Sequence, residues 1–351
     1  MKRRYGGFDV WRIAAALGVV LTHSFALTGH FIDRPKLLVG NWTLAFGNVG
    51  VAIFFTISGF LVSMSLDRAS GTWPFLRNRI VRIYPALIVM VLLTVFVLGP
   101  LVTTFSLVDY FHNRITLSYL VHNTTLLFGV KHYLPGVFDG GSVNASLWTL
   151  PYEVWAYIGL LVVSMLGLVR RWWTCALLLA GALAVFRYGT YEPYLDIRRS
   201  IYGMHLWNAA ELAVFFLAGV LLLRIRDRID LQKLALPGAA LIAIAFVVRD
   251  PTTFMVGLPL LVIGTGARSN RMTDAASRLG DPSYGIYIFS YPIQQVLRHE
   301  GGVTSPLTMF GLSATISVAV GYLSWHVVEK RALARIKRPA PADPTPAVAS
   351  R

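Results

Sequence analysis

The stretch that decides the fold class runs from Gly47 to Leu66 and reads GNVGVAIFFTISGFLVSMSL. Its 20 residues include no Asp, Glu, Lys or Arg. A helix needs roughly 20 predominantly apolar residues to cross the hydrocarbon core of a bilayer. The stretch therefore predicts a transmembrane helix. The small residues Gly50, Ser58 and Gly59 within it indicate close packing against other helices.

Comparable apolar runs recur along the chain of 351 residues, of which 55% are hydrophobic and only 14% are charged. Soluble domains usually carry about 25% charged residues. We therefore predict an all-α, polytopic integral membrane bundle. Its transmembrane helices, about ten in number, are expected at roughly 8–29, 47–66, 80–104, 147–169, 172–189, 205–223, 234–249, 252–267, 281–298 and 305–328.

The segment from 105 to 146 is predicted to be the longest loop outside the membrane. It contains several Gly residues and one Pro, so we expect it to be irregular. Within it, the apolar stretch 115–130 holds His122 and Asn123. We interpret this stretch as an interfacial or re-entrant segment and not as an eleventh span.

The distribution of basic residues predicts the orientation of the bundle. With the N-terminus in the cytoplasm, inner segments contain 21 Lys and Arg residues and outer segments contain nine. Cytoplasmic loops are enriched in Lys and Arg, so both termini are predicted to be cytoplasmic. Membrane topology also explains the net charge of +15 without a nucleic-acid partner. Residues 1–337 are expected to form one membrane domain, and the Pro- and Ala-rich residues 338–351 a disordered cytoplasmic tail.

Two ionisable residues of the first predicted helix are candidates for function, because a charge at mid-bilayer costs about 2.5–3.5 kcal/mol on insertion scales. Arg12 and His23 lie on nearly one face of that helix, about 16 Å apart along its axis. A neutral imidazole in an apolar pocket can take a proton from a hydroxyl, so His23 is a candidate general base. The alternative is a structural contact by His23 and an Arg12 that extends to the interface.

Two arginines of the third predicted helix are candidates for binding the donor. Arg79 and Arg82 share a face at the inner end of that helix, where guanidinium groups would bind the phosphates of a donor. The alternative is the ordinary positive charge of cytoplasmic segments.

Glu153 lies about two turns into the fourth predicted helix. A buried carboxylate needs a partner, and we expect Glu153 to pair with His23 and orient it, although a structural bond to another helix is the alternative.

Two other carboxylates are less informative. Glu211 lies within the sixth predicted span, and the sequence does not distinguish a role in packing from a role in proton transfer. Glu329 is expected at the inner surface beside Lys330 and Arg331. The sequence shows no clustered Cys and His residues typical of a metal site, and its one cysteine, Cys175, excludes an internal disulfide bond.

Six motifs follow one another along residues 8–331. They are Phe8-Asp9-Val10-Trp11-Arg12 with His23-Ser24, Phe54-Phe55-Thr56-Ile57-Ser58-Gly59-Phe60-Leu61, Arg79-Ile80-Val81-Arg82-Ile83-Tyr84-Pro85, Ser146-Leu147-Trp148-Thr149-Leu150-Pro151-Tyr152-Glu153, Gly280-Asp281-Pro282-Ser283-Tyr284-Gly285-Ile286-Tyr287-Ile288 and Ser324-Trp325-His326-Val327-Val328-Glu329-Lys330. In this order they resemble the membrane-bound acyltransferase-3 family, which O-acylates surface and exported carbohydrates.

The resemblance implies a bundle of ten helices in a bacterial cytoplasmic (inner) membrane. It implies transfer of an acyl group, usually acetyl, from cytosolic acyl-CoA to a hydroxyl of a glycan or glycolipid, without a metal. The family's functional residues match Arg12, His23, Arg79, Arg82 and Glu153. The chain departs from the family in two places: Ser290 stands where a His is frequent, and Lys330 where a Pro is usual.

These observations give one hypothesis and one alternative. In the hypothesis, Arg79 and Arg82 bind the phosphates of acyl-CoA, His23 oriented by Glu153 is the general base, and Arg12 or a polar side chain stabilises the oxyanion. The alternative is a transporter or flippase for a glycan or an acyl species, whose pathway would also need intramembrane charges. We find no internal repeat in the sequence, which counts against a carrier built from inverted halves. The acceptor, the acyl length and the oligomeric state stay open.

Overall fold

The computed structural model describes residues 5–127, 129–191, 200–201, 204–268, 273 and 279–336. The predicted tail at 338–351 lies outside the described residues, as do the basic residues Lys2, Arg3 and Arg4 that entered the orientation argument. Helices make up most of the described chain, and its strands are confined to two short hairpins. The predicted all-α class is therefore confirmed by the helical content of the described residues.

The helices are numbered in the order of the chain. In the described ranges they are α1 (Gly7–Leu27), α2 (Phe46–Arg68), α3 (Thr72–Leu93), α4 (Leu107–His112), α5 (Arg114–Thr125), α6 (Leu150–Met165), α7 (Trp172–Tyr191), α8 (Leu206–Ile225), α9 (Ala235–Val248), α10 (Pro251–Gly266), α11 (Ser283–His299) and α12 (Pro306–Ser324). The antiparallel hairpins pair β1 (Lys36–Val39) with β2 (Trp42–Ala45), and β3 (Ser200–Ile201) with β4 (Met204–His205).

Two helices continue beyond these bounds through π-helical turns. α3 passes through Thr94–Leu98 into a last turn at Gly99–Val102, and α12 passes through Trp325–Glu329 into Lys330–Ile336. A π turn holds one more residue than an α turn, so it rotates the side chains beyond it around the helix axis. In α12 this rotation affects the orientation of a site residue, described below.

Eight helical segments of the described chain are long and apolar enough to cross a membrane. They are Gly7–Leu27, Phe46–Arg68, Thr72–Val102, Ala145–Met165, Trp172–Gly189, Leu206–Ile225, Leu231–Val248 and Pro306–Ile336. The other two predicted spans are helices as well, but α10 has 16 residues and α11 has 17. Helices of this length reach about 25 Å, less than the roughly 30 Å of a hydrocarbon core. The chain is a multi-pass membrane protein, while the count of ten and the side of the termini stay predictions.

The segment 105–146 is irregular, as predicted, over 129–144, where its Pro and its Gly residues lie, but it is more regular than expected before that. It contains α4 and α5, and each helix begins at a capping side chain. The hydroxyl of Ser106 accepts a hydrogen bond from the backbone of Asp109, and the side chain of Asn113 accepts one from the backbone of Ile115. Such caps satisfy the free N–H groups of a helix start. α5 packs against α3, and its 12 residues are too few to span a bilayer.

The glycines of α2 allow its close approach to two neighbours, as the sequence predicted. A Cβ atom at Gly50 would lie 2.4 Å from the carbonyl oxygen of Ala15 on α1. On the other side, a Cβ atom at Gly59 would lie 1.9 Å from the carbonyl oxygen of Phe216 on α8. These neighbours are backbone atoms, so no larger residue fits without moving a helix. The contacts fix α2 between α1 and α8, with a third side facing the pocket described next.

Candidate functional site

A pocket lies between α1, α2, α3, α6 and the start of α11, toward the end of the bundle where α1 begins. Its empty space amounts to about 760 Å³, including the mouth. Arg12, Arg79, Arg82 and Glu153 line it together with apolar and hydroxyl side chains. Four of the five residues predicted from the sequence therefore meet in one pocket, whereas His23 does not line it.

Asp281 joins two of the three arginines. Its Oδ2 atom accepts hydrogen bonds from Arg12 at 2.5 Å and from Arg82 at 2.6 Å. Its Oδ1 atom accepts one at 2.5 Å from the hydroxyl of Ser283, the first residue of α11. The carboxylate is therefore fixed to the start of α11 and neutralises charge on α1 and α3. Asp281 is not among the site residues predicted from the sequence, although an acidic residue at the start of an apolar span was the available signal.

Glu329 extends this ion-pair network. Its Oε2 atom accepts a hydrogen bond from Arg82 at 3.0 Å, and its Oε1 atom accepts one from Ser324 at 3.2 Å. The side chain is only 2% exposed, so the expected position at the inner surface was wrong. The physical reason is the π turn Trp325–Glu329, because its extra residue rotates Glu329 toward α3.

Arg82 and Arg79 differ in a way that the sequence did not reveal. The guanidinium of Arg82 donates to two carboxylates, which compete with the phosphate role predicted for it. Arg79 forms no ion pair among the described residues. Its Nη2 atom lies 3.4 Å from the hydroxyl of Ser65, its guanidinium carbon lies 5.8 Å from the ring centre of Tyr157, and its Nε atom is buried without a hydrogen-bond partner. Arg79 is therefore the pocket arginine that can take an anion.

Glu153 is bonded inside the pocket. Its Oε1 atom accepts a short hydrogen bond from the hydroxyl of Tyr157, one turn further along α6, and lies 3.4 Å from the hydroxyl of Ser58 on α2. The two hydroxyls are 3.1 Å apart. The three side chains form a polar cluster in the pocket, and the guanidinium of Arg79 lies beside its Tyr157 ring.

The predicted pair of Glu153 and His23 is not formed, and the stagger of α1 against α2 explains why. The backbone N–H of Gly47 donates to the hydroxyl of Thr22 at 2.7 Å, so His23 lies at the level of Gly47. Ser58, the partner of Glu153, lies eleven residues further along α2, or about 16 Å deeper in the bundle. The sequence shows the distance of a residue from the end of its own helix, but not this stagger.

His23 lies beyond the end of the pocket that is nearer to Leu27, which we call its outer end; the end nearer to Gly7 is its inner end. Its ring stands edge-on against Tyr291 of α11, with the ring centres 4.9 Å apart, and its Nδ1 atom is buried without a hydrogen-bond partner among the described residues. The side chain of Gln294 donates to the carbonyl of Val20 at 2.9 Å and to the hydroxyl of Ser24 at 2.8 Å. These bonds hold α1 against α11 at this level. A buried polar atom without a partner costs about 1–3 kcal/mol, so Nδ1 is a point where a ligand or water would bind.

A row of tyrosines on α11 connects the pocket with His23. Tyr284, Tyr287 and Tyr291 are three and four residues apart and share one helix face. The ring centre of Tyr284 lies 5.9 Å from the guanidinium carbon of Arg82, and the hydroxyl of Tyr287 lies 2.6 Å from that of Thr149. The row spans about 10 Å along the axis. The helical spacing of these tyrosines is visible in the sequence, although they are not among the predicted site residues.

The connection before α6 closes the outer end of the site. The side chain of Asn144 donates to the carbonyl of Ile288 at 2.9 Å, and that of Gln295 donates to the carbonyl of Ser142. His132 lies 3.3 Å from the carbonyl of Asn144. Burial lowers the pKa of His132, although its bond to that carbonyl acts in the opposite direction.

A family model described as an acyltransferase domain matches residues 5–326. The chain belongs to the acyltransferase-3 family. The resemblance inferred from the six motifs is thereby confirmed over nearly the whole chain. No solved structure matches the chain significantly.

Three relatives of this acyltransferase are similar over most of their length. An O-acetyl transferase of Shigella phage Sf6 is 31% identical over 93% of this chain and 96% of its own. Nodulation protein 10 of Rhizobium leguminosarum bv. viciae is 26% identical over 93% and 92%, respectively. The exopolysaccharide production protein ExoZ of Rhizobium meliloti (strain 1021) is 27% identical over 90% and 95%. The acyltransferase is therefore an O-acyltransferase, which decides between the enzyme and the carrier in favour of the enzyme.

Proposed function

We propose that this enzyme moves an acetyl group from cytosolic acyl-CoA to a hydroxyl of a glycan or glycolipid at a bacterial cytoplasmic membrane. The observation that carries the proposal is the pocket with Arg79 at its inner end and a polar, tyrosine-lined path leading outward from it. The names of two relatives, an O-acetyl transferase and an exopolysaccharide production protein, support the choice of group and acceptor.

The donor enters from the end of the bundle where α1 begins. Arg79 binds a phosphate of CoA, because its guanidinium is not engaged by a carboxylate and a charge-assisted bond to phosphate is strong. Arg12 and Arg82 keep their carboxylate partners Asp281 and Glu329, so their charges are balanced within the protein. The pocket extends along α2 from Val62 to Val51, about 16 Å, which suits an extended thioester arm.

The transfer takes place toward the outer end of this path. The acceptor hydroxyl oxygen attacks the thioester carbonyl carbon while His23 takes its proton. The C–S bond then breaks as His23 gives that proton to the sulfur, and CoA leaves as the thiol. His23 fits the base because its Nδ1 atom is buried and has no protein partner among the described residues. The oxyanion donor comes from a hydroxyl of the tyrosine row, because Arg12 is bonded to Asp281 and lies about 16 Å from His23 along α1.

The proposal is tested with purified enzyme in nanodiscs, labelled acetyl-CoA and the surface-glycan fraction of the host. We expect acetyl on the glycan with the wild type and a loss of about 10²–10⁴-fold in rate with His23→Ala, the usual contribution of a general base. His30→Ala is the matched control, because His30 is exposed just beyond the end of α1. Equal transfer by wild type and His23→Ala would leave the enzyme but remove its base.

A further inference from the structure

A second pocket lies beside the first, on the other side of α6. It is formed between α6 and α8, and its lining is almost entirely apolar, with Ala156 on one wall and Ala209 and Leu212 on the other. It opens at the outside of the bundle, where Trp155 is 43% exposed and Leu206 is 42% exposed. Its empty space, about 770 Å³ including the mouth, is as large as that of the first pocket.

The helical repeat of α6 separates the two pockets. Glu153 and Tyr157, four residues apart, face the first pocket. Tyr152 and Ala156, also four residues apart, face the second. One residue lines both pockets, namely Phe55 of α2. Its side chain is 5% exposed and therefore forms the wall between them.

We propose that Phe55 restricts this enzyme to short acyl groups by closing the reaction pocket toward the second pocket. The inference rests on the proposed function, in which the acyl group of acyl-CoA passes Phe55 in the first pocket on its way to His23, about 12 Å further outward along α2. Phe55 lies on α2 one turn outward of Ser58, beside the polar cluster with Glu153. An acetyl methyl group fits on the near side of the Phe55 ring. A longer chain has to cross the plane of the ring, beyond which the second pocket offers apolar surface.

Removing the ring converts the second pocket into space for acyl methylenes. Each buried CH₂ group contributes about 0.8 kcal/mol, or about fourfold in kcat/KM. For Phe55→Ala, we expect the butyryl-to-acetyl ratio of kcat/KM to rise by roughly 15-fold for the two additional methylenes. Wild-type enzyme should prefer acetyl-CoA. Phe55→Leu serves as a second variant if the alanine variant folds poorly, and it should shift the ratio in the same direction by less.

Two controls make the test specific. Phe54→Ala enlarges only the first pocket, since Phe54 does not line the second, and should not raise the butyryl-to-acetyl ratio. Ala209→Phe fills the second pocket from α8. Added to Phe55→Ala, it should return the ratio toward the wild-type value; alone, it should leave the wild-type preference unchanged.

The experiment measures acyl transfer with acetyl-, butyryl- and hexanoyl-CoA for these variants in nanodiscs, after size-exclusion chromatography has shown that each is folded. An increased ratio that Ala209→Phe reverses supports the inference. Acetyl transfer by the wild type with an unchanged ratio in both Phe55 variants would overturn the inference alone. A wild type that transfers no acyl group from any acyl-CoA would overturn the proposed function, and the inference with it.

Discussion

At the scale of single residues, Asp281 is the carboxylate that organises the inner end of the site. It is shared by Arg12 and Arg82, and its side chain is only 13% exposed. Removing one member of a buried ion pair typically costs about 3–5 kcal/mol, because a charge is left without its partner. We expect Asp281→Asn to lower the free energy of unfolding in detergent by about this amount. Asp139→Asn is the control, since Asp139 is 89% exposed and lies 3.7 Å from His299; equal stability of the two variants would contradict this role for Asp281.

Arg79 is expected to act on donor binding and little on the chemical step. A hydrogen bond to a charged group contributes about 1.5–3 kcal/mol, so Arg79→Ala should raise KM for acetyl-CoA by roughly 10- to 100-fold with a small change in kcat. Arg79→Lys should recover part of the loss. Arg77→Ala is the matched control, because Arg77 is exposed on the same helix. A fall in kcat at unchanged KM would place Arg79 in the chemistry instead.

Glu153 and His23 are separated by depth, which allows their roles to be compared. Glu153 accepts hydrogen bonds from two hydroxyls, and glutamine retains an acceptor oxygen at that position. We therefore expect Glu153→Gln to lower the transfer rate less than tenfold, far below the loss from His23→Ala. The rates are compared under saturating acetyl-CoA. A larger loss from Glu153→Gln would make Glu153 the base.

Much of the site was visible in the sequence, since charged residues inside apolar spans are costly and are kept for a purpose. That argument found Arg12, Arg79, Arg82 and Glu153, which the fold brings into one pocket. It did not find their partners. Pairing depends on how neighbouring helices are staggered, and hydrogen bonds such as that from Gly47 to Thr22, which set the stagger, have no sequence signature.

At the scale of elements, the packing of α2 depends on glycine. Gly59→Ala should destabilise the fold by about 1–3 kcal/mol, the usual cost of overpacking, because the new methyl group would meet the carbonyl oxygen of Phe216. Gly159→Ala on α6 is the matched control, since nothing lies within 4 Å of its Cβ position. Thermal unfolding in detergent measures both. Similar midpoints for the two variants would contradict the close contact of α2 with α8.

Irregular turns within helices could not be predicted from the sequence. The predicted spans recur as helices because long apolar runs have few other solutions in a bilayer. The π turn at Trp325–Glu329 gave no pattern that distinguishes it from an ordinary helix. The extra residue of this turn rotates Glu329 into the bundle, which is why the predicted surface position of Glu329 was wrong.

At the scale of the whole molecule, the orientation in the membrane remains a prediction that labelling can test. In a Cys175→Ala background, Asp139→Cys introduces a thiol in the predicted outer loop and Asp227→Cys introduces one in a predicted inner segment. Both positions are more than 80% exposed. In intact spheroplasts, a membrane-impermeant maleimide should label only the first, and it should label the second after membrane disruption. The reverse pattern would invert the bundle.

The fold class was predictable from composition, because a chain this apolar and this poor in charge has few alternatives to a membrane bundle. The arrangement of the helices around one pocket was not predictable, since any set of apolar helices satisfies the same composition. The family motifs narrowed the function to acyl transfer. They did not reveal that Phe55 separates two pockets, because this depends on how α2, α6 and α8 pack together.

The central claim is that this chain passes an acetyl group from CoA to a hydroxyl of a glycan. The most direct measurement follows isotope-labelled acetyl-CoA in proteoliposomes, with mass spectrometry of the glycan and titration of the released CoA thiol in the same sample. The account predicts one labelled acetyl ester on the glycan for each thiol released. Glycan that accumulates across the membrane without an added acetyl group or released thiol would contradict it.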